Sequence, residues 1–85
     1  MKLIRTDRFL DDYRRLPPQV QRQTDRKLTY LVRDIAHPSL RVKRVRKYHD
    51  VFEGSINMDY RFLFQITADA YILLRIGRHD ILEKA

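Results

Sequence analysis

Eighty-five residues bound the chain to a single domain, 1–85, with one modest core, and exclude a second. The lack of cysteine excludes disulfides and thiolate zinc sites and suits a reducing cytoplasm; no apolar run reaches the length of a membrane span, and charged Asp7 and Arg8 leave no secretory leader. With a formal charge of +7, the surface is either simply solvated or directed at a polyanion, nucleic acid or an acidic protein segment.

Lys2 to Arg5 reads as a short strand, and Thr6 with Asp7 supplies cap-type side chains for a helix whose apolar residues are Phe9, Leu10, Tyr13 and Leu16. Pro17 and Pro18 break that helix, because proline removes a backbone donor and restricts the residue before it, and Pro18 can open the next. Val20, Thr24, Leu28, Leu31 and Ile35 then step at helical spacing and mark one buried stripe, opposite Arg22, Arg26 and Arg33. His37, Pro38 and Ser39 end this second helix.

Beyond residue 39 the period changes to two. Residues 40–46 and 51–58 read as strands joined by a polar turn at 47–50, with a phase break between Val42 and Val45 that a bulge would explain. Tyr60 to Ile66 and residues 71–77 complete the set, with Thr67 to Asp69 as the hairpin loop between them. The order β-α-α-β-β-β-β predicts an α+β domain, two N-terminal helices on one face of a small, mainly antiparallel sheet and the opposite face open. Strand parity sends Phe62, Phe64 and Ile66 inward and Arg61 and Gln65 outward. With Ile72, Leu74 and Ile76 inward, Arg75 points outward, and His79 shares its parity.

The open face is thus expected to gather Glu53, Ser55, Asn57, Arg61, Gln65, Arg75 and His79 beside the cations Arg41, Lys43, Arg44, Arg46 and Lys47. Guanidinium groups bind phosphate oxygens and stabilise developing negative charge, while a histidine exchanges protons near neutral pH. On RNA the least demanding reaction is attack of a 2′-hydroxyl on the adjacent phosphate, which needs a base, an acid and cations but no metal or other cofactor. Each residue has a plainer alternative. Arg61 can form an ion pair with Glu53 or Asp59, Arg75 can be paired likewise, and His79 can simply cap the last strand. The basic run can protect a sheet edge, and Tyr48 and Tyr60 can be buried rather than stacked on bases. The three histidines, far apart and without carboxylate or cysteine companions at ligand spacing, point to no metal site. With glycine only at positions 54 and 77, there is no phosphate-binding loop.

Three segments, HPSLRVK at 37–43, FEGSINMDYRFLF at 52–64 and LRIGRHDIL at 74–82, resemble the RelE/ParE-type toxins of bacterial toxin–antitoxin modules. The likeness spans almost the whole chain. Its most specific pieces are Asp59, Tyr60 and Arg61, and the run from Ile76 to Asp80 through Gly77, Arg78 and His79. The branch most similar is that of ribosome-dependent messenger-RNA endonucleases, the RelE, HigB and YafQ groups.

This resemblance implies a toxin that enters the ribosomal decoding site, cuts messenger RNA, and is silenced by a cognate antitoxin. Carried over by position, it makes Arg61 the scissile-phosphate contact, places Lys43 or Arg44 in the strand that activates the 2′-hydroxyl, and makes His79 a proton donor or charge stabiliser. It adds Asp59 as an acidic position of one branch. The charge pattern itself, apart from the resemblance, offers Arg41, Arg46, Lys47 and Arg78 as further substrate contacts, and strand parity alone offers Arg75. The ParE branch shares the fold but poisons DNA gyrase by binding, and a non-catalytic basic module is a third reading. Where active members place a tyrosine or phenylalanine after the strand-five motif, residues 81–85 hold none.

Overall fold

The computed structural model describes residues 1–84, with the side chains of all of these except 81, 83 and 84. β1 (Lys2–Arg5) leads into α1 (Asp7–Arg14) and α2 (Pro18–Arg33), followed by a 3-10 turn at Pro38–Leu40. β2 (Lys43–Arg44), β3 (Phe52–Ser55), β4 (Tyr60–Ile66) and β5 (Ala70–Arg78) complete the sheet, and α3 (His79–Lys84) follows.

Thr6 starts α1 as the spacing predicts. Its Oγ1 accepts from the Phe9 amide at 3.2 Å and donates to the Leu73 carbonyl at 2.7 Å, so one hydroxyl caps the helix and ties it to β5. Pro18 opens α2, and Val20, Thr24, Leu28 and Leu31 of the expected stripe are buried. Thr24 is fully buried without penalty because its hydroxyl donates to the Val20 carbonyl at 2.8 Å.

The five strands lie in the order β1-β5-β4-β3-β2, antiparallel throughout except that β1 runs parallel to β5. Both long helices cover one face, where Phe9, Leu16, Val20, Leu28 and Leu31 meet Phe62, Phe64, Leu73 and Ile76 in one core. Gly54 permits the closest contact of that core. It faces Phe62 across the ladder, and a Cβ built on it would stand 2.4 Å from the Phe62 ring.

Four expectations need correction. The strand read at 51–58 stops at Ser55, because Asn57 Oδ1 takes the amides of Asp59 and Tyr60 and turns the chain. The strand read at 40–46 shrinks to Lys43–Arg44, because Pro38–Leu40 forms a 3-10 turn that buries Leu40 completely and Arg41 then takes a left-handed conformation at φ 49°. The bulge lies in β5 instead, where Leu63 faces Arg75 but Phe64 faces Leu73, so that Leu74 is the extra residue. Tyr71 and Leu73 therefore join Ile76 in the core, in place of Ile72 and Leu74. Finally, Ile66 is 40 % exposed rather than inward, because it lies at the end of its strand.

Candidate functional site

The face opposite α1 and α2 is built from neighbouring strands in register. Lys43 faces Glu53, Glu53 faces Leu63, and Ser55 faces Arg61. Glu53 Oε1 lies 3.6 Å from Arg61 Nε and 3.9 Å from Lys43 Nζ, so one carboxylate stands between the two cations. Arg61 Nη1 donates to the carbonyls of Asn57 and Tyr60, the latter at 3.0 Å. The guanidinium is thus fixed on two sides, its side chain only 20 % exposed. Nη2 has no hydrogen-bond partner among the described residues, which leaves that corner for an incoming oxygen.

The 56–59 loop that supplies this cradle is itself held by Asn57. Its Oδ1 accepts from the amides of Asp59 at 2.8 Å and Tyr60 at 3.0 Å, and its Nδ2 donates to Gln23 Oε1 on α2 at 2.7 Å. Asn57 therefore looks toward the helix rather than joining the open face. The same loop places His79, whose amide donates to the Asp59 carbonyl at 2.9 Å, with Nδ1 at 3.5 Å from that oxygen. Asp59 and His79 are both exposed at this end of the sheet. Arg78 lies beside them, its guanidinium 5.9 Å from the Tyr60 ring centre and its Nε 3.9 Å from Asp80.

The basic run borders the face as expected. Lys43, Arg44, Val45, Arg46 and Glu53 line a cleft of about 500 Å³. Arg44 lies over the Phe52 ring at 5.3 Å and Lys47 over the Tyr48 ring at 5.4 Å. Arg41, Arg46 and Lys47 are exposed.

Arg75 is not a free member of this group. It lies on the outer face opposite Leu63, yet its Nε and Nη2 donate to the Asp12 carboxylate on α1 at 2.8 and 3.4 Å. Asp12 Oδ2 also accepts from the Ile76 amide at 3.1 Å, which satisfies a donor on the edge of β5 that β1, ending at Arg5, does not reach. The hydrogen bond that Arg75 donates to Asp12 holds its pKa above the ordinary value, against a smaller opposing effect of burial.

Nor is the outer face wholly open. α3 folds back so that Leu82, 8 % exposed, sets a methyl 3.9 Å from where a Gly77 Cβ would stand. Leu82 also lines clefts with Leu63, Leu74 and Tyr48.

Two of these functional placements had a signal in the sequence. An asparagine three residues before a strand is the mark of an Asx turn, and Asn57 forms one. Asp12 interrupts the apolar stripe of α1 between Phe9 and Leu16, and a carboxylate on a buried stripe calls for a partner.

This arrangement of two helices, an antiparallel meander and a parallel first strand recurs in known structures. YafQ from E. coli superposes with a TM-score of 0.81 at 12% identity, covering 95% of this chain and 96% of its own. The chain has the RelE-type fold. A YoeB/ParE toxin from Agrobacterium tumefaciens gives 0.79 at 15% identity, over 93% of this chain and 99% of its own. The RelB–RelE antitoxin–toxin complex of Methanococcus jannaschii gives 0.77 at 13% identity, over 95% of each chain. No family model and no curated protein matches the sequence, so what this chain shares with other RelE-type folds is three-dimensional arrangement.

Proposed function

We propose that this protein is the toxin of a type II toxin–antitoxin module and that it cuts messenger RNA on the ribosome. One observation supports the reading: Glu53 stands between Lys43 and Arg61 on the outer face, Arg61 is held further by the Asn57 and Tyr60 carbonyls, and His79 bonds to the carbonyl of Asp59 in the loop that leads into Arg61's strand. Other proteins of this fold, including the RelB–RelE pair, are toxins crystallised with antitoxins.

In the reaction a 2′-hydroxyl passes its proton to solvent water and attacks the neighbouring phosphorus, forming the O2′–P bond. The P–O5′ bond breaks, and the departing 5′-oxygen takes up a proton. The products are a 2′,3′-cyclic phosphate and a 5′-hydroxyl, with no metal required. Lys43 lowers the energy of the developing 2′-oxyanion, while Arg44, opposite Phe52 on the other side of the strand, adds to the positive field at that edge. Arg61 stabilises the charge on the phosphorane oxygens, and His79 supplies the proton to the leaving oxygen. Arg41, Arg46 and Lys47 attract the strand, and Arg78 and Asp59 border it. Arg75, neutralised by Asp12, contributes structure. The protein's partners in this reading are the ribosome, messenger RNA and a cognate antitoxin that sets acidic or amphipathic sequence against the basic face.

Primer extension on messenger from cells expressing the chain tests the proposal. Cleavage within translated frames is expected, and Arg61→Ala and His79→Ala should each lower it by about a hundred- to ten-thousand-fold with the fold intact. Full toxicity in both variants, or inhibition of gyrase supercoiling without any RNA cleavage, would overturn it.

A further inference from the structure

The clefts of the outer face share walls and together make one trough across the sheet. The basic cleft at Lys43 and Arg44 shares Val45, Arg46 and Glu53 with the next, which Tyr48, Leu63 and Leu82 close. Those three also wall a third cleft, of about 430 Å³, with Leu74 and Arg75. Arg75 and Leu82 continue into a fourth, of about 270 Å³, at the far edge of β5, where Arg15, Tyr60, Gly77 and Arg78 form the walls. The trough is cationic at both ends, and its middle is lined by Leu63, Leu74 and Leu82 beside the polar Arg8, His49 and Gln65.

Its second end is distinct from the first. From β2 to β5 the sheet crosses three strand spacings of about 4.8 Å, roughly 14 Å, so one phosphate cannot touch both ends. Arg15 closes α1, its backbone fixed by the bond from its amide to the Asp12 carbonyl at 3.2 Å, while its exposed side chain has no ion pair among the described residues. Among the described residues the one carboxylate within ion-pair distance of Arg78 is Asp80, at 3.9 Å. Asp12, the other nearby carboxylate, is spent on Arg75. Gly77 and Tyr60 also line this cleft, and the Arg78 guanidinium lies 5.9 Å from the Tyr60 ring centre, so the cleft offers two guanidinium groups suited to phosphate oxygens. Continuity through shared walls with the basic cleft at Lys43 favours nucleic acid over an acidic peptide.

We propose that Arg15 and Arg78 form a second phosphate subsite, which grips a phosphodiester flanking the scissile one in the same RNA strand. The inference rests on the RNA-cutting reading above and extends it to the α1–α2 turn, a part of the fold remote from Lys43 and Arg61. The strand enters at the basic run, lays its bases along Leu63, Leu74 and Leu82, and leaves over the edge of β5.

The test measures fluorescence anisotropy of a 2′-O-methyl hexanucleotide, which cannot be cut, on the purified protein across a salt series, with a dinucleotide as reference. Arg15→Ala should weaken the hexanucleotide about fivefold more than the dinucleotide, and should reduce the salt slope by about 0.7, the value for one phosphate contact on a single strand. Arg15→Lys should restore the slope. Equal hexanucleotide affinity and slope in wild type and Arg15→Ala would overturn the subsite while leaving the RNA reading in place. Weakened binding of a poly-glutamate peptide, with RNA binding unmoved, would assign the cleft to an acidic protein and equally overturn it. Absence of salt-sensitive RNA binding in the wild type, together with no cleavage by primer extension, would remove the RNA reading and this subsite with it.

Discussion

Glu53 Oε1 stands 3.6 Å from Arg61 Nε on the adjoining strand, and this carboxylate aims the arginine rather than merely neutralising it. Both side chains are about four-fifths covered, 20 % and 21 % exposed, so the pair is shielded from the screening that makes surface ion pairs weak. Glu53→Gln removes a negative charge from a basic face and loosens Arg61 at the same time. RNA should bind more tightly to the variant, while single-turnover cleavage falls between about ten- and a hundredfold because the phosphate contact is misplaced. Unchanged cleavage would show that Arg61 needs no positioning by Glu53.

Asn57→Ala attacks the same arginine from the backbone side. The amides of Asp59 and Tyr60 lose their acceptor and Gln23 loses its partner, at a cost of about 1–3 kcal/mol. Amide hydrogen exchange at Asp59 and Tyr60 should accelerate well beyond the change at Leu73, and cleavage should fall with it. Exchange that rises uniformly over the molecule would instead mark a purely global loss of stability.

Gly54→Ala is expected to destabilise the sheet by about 1–3 kcal/mol, the usual cost of overpacking. The added methyl would lie 2.4 Å from a Phe62 ring that is itself 0 % exposed and therefore cannot swing away. Urea unfolding checks this. Pairing it with Phe62→Leu should recover part of the loss, because the clash is with the ring alone.

Asp12→Ala strands a partly buried Arg75 and the Ile76 amide together, and should cost about 3–5 kcal/mol in chemical denaturation. Adding Arg75→Met to the Asp12→Ala protein should return a portion of that stability, since an uncompensated charge is worse than none. RNA cleavage per folded molecule should change little, which separates Arg75 from Arg61.

Local chemistry explains which parts of this molecule were legible in the sequence. Thr6, Pro17 with Pro18, and Thr67 to Asp69 announce element boundaries through side chains that act on their own backbone, and each boundary lies within a residue or two of expectation. Arg61 and Glu53 were readable as a cross-strand pair because parity within β3 and β4 is unbroken. The bulge at Leu74 was not, because an extra residue between apolar neighbours leaves no compositional mark, and it moved Tyr71 and Leu73 into the core. The capture of Arg75 spans 63 residues and depends on how α1 crosses the end of β1. No periodicity reports such a contact. The short last helix was missed because its few residues after β5 continue a strand-like reading until Leu82 turns back on Gly77.

Among the described residues β1 pairs with β5 alone, Lys2 opposite Ala70 and Arg5 opposite Leu73. β1 therefore has no place in the sheet until β5 is formed. Closing a loop of that span is slow compared with forming α2 or the β3–β4–β5 hairpins, whose partners are neighbours in the chain. The helices and meander can assemble around Phe62 and Phe64 as a nucleus, with the N-terminal strand docking as the final step. Because the Thr6 cap of α1 also bonds to Leu73, α1 is secured in that same late event, and with it the Asp12 that takes Arg75 out of play. The charge pattern of the outer face is therefore completed only when β1 and β5 have met.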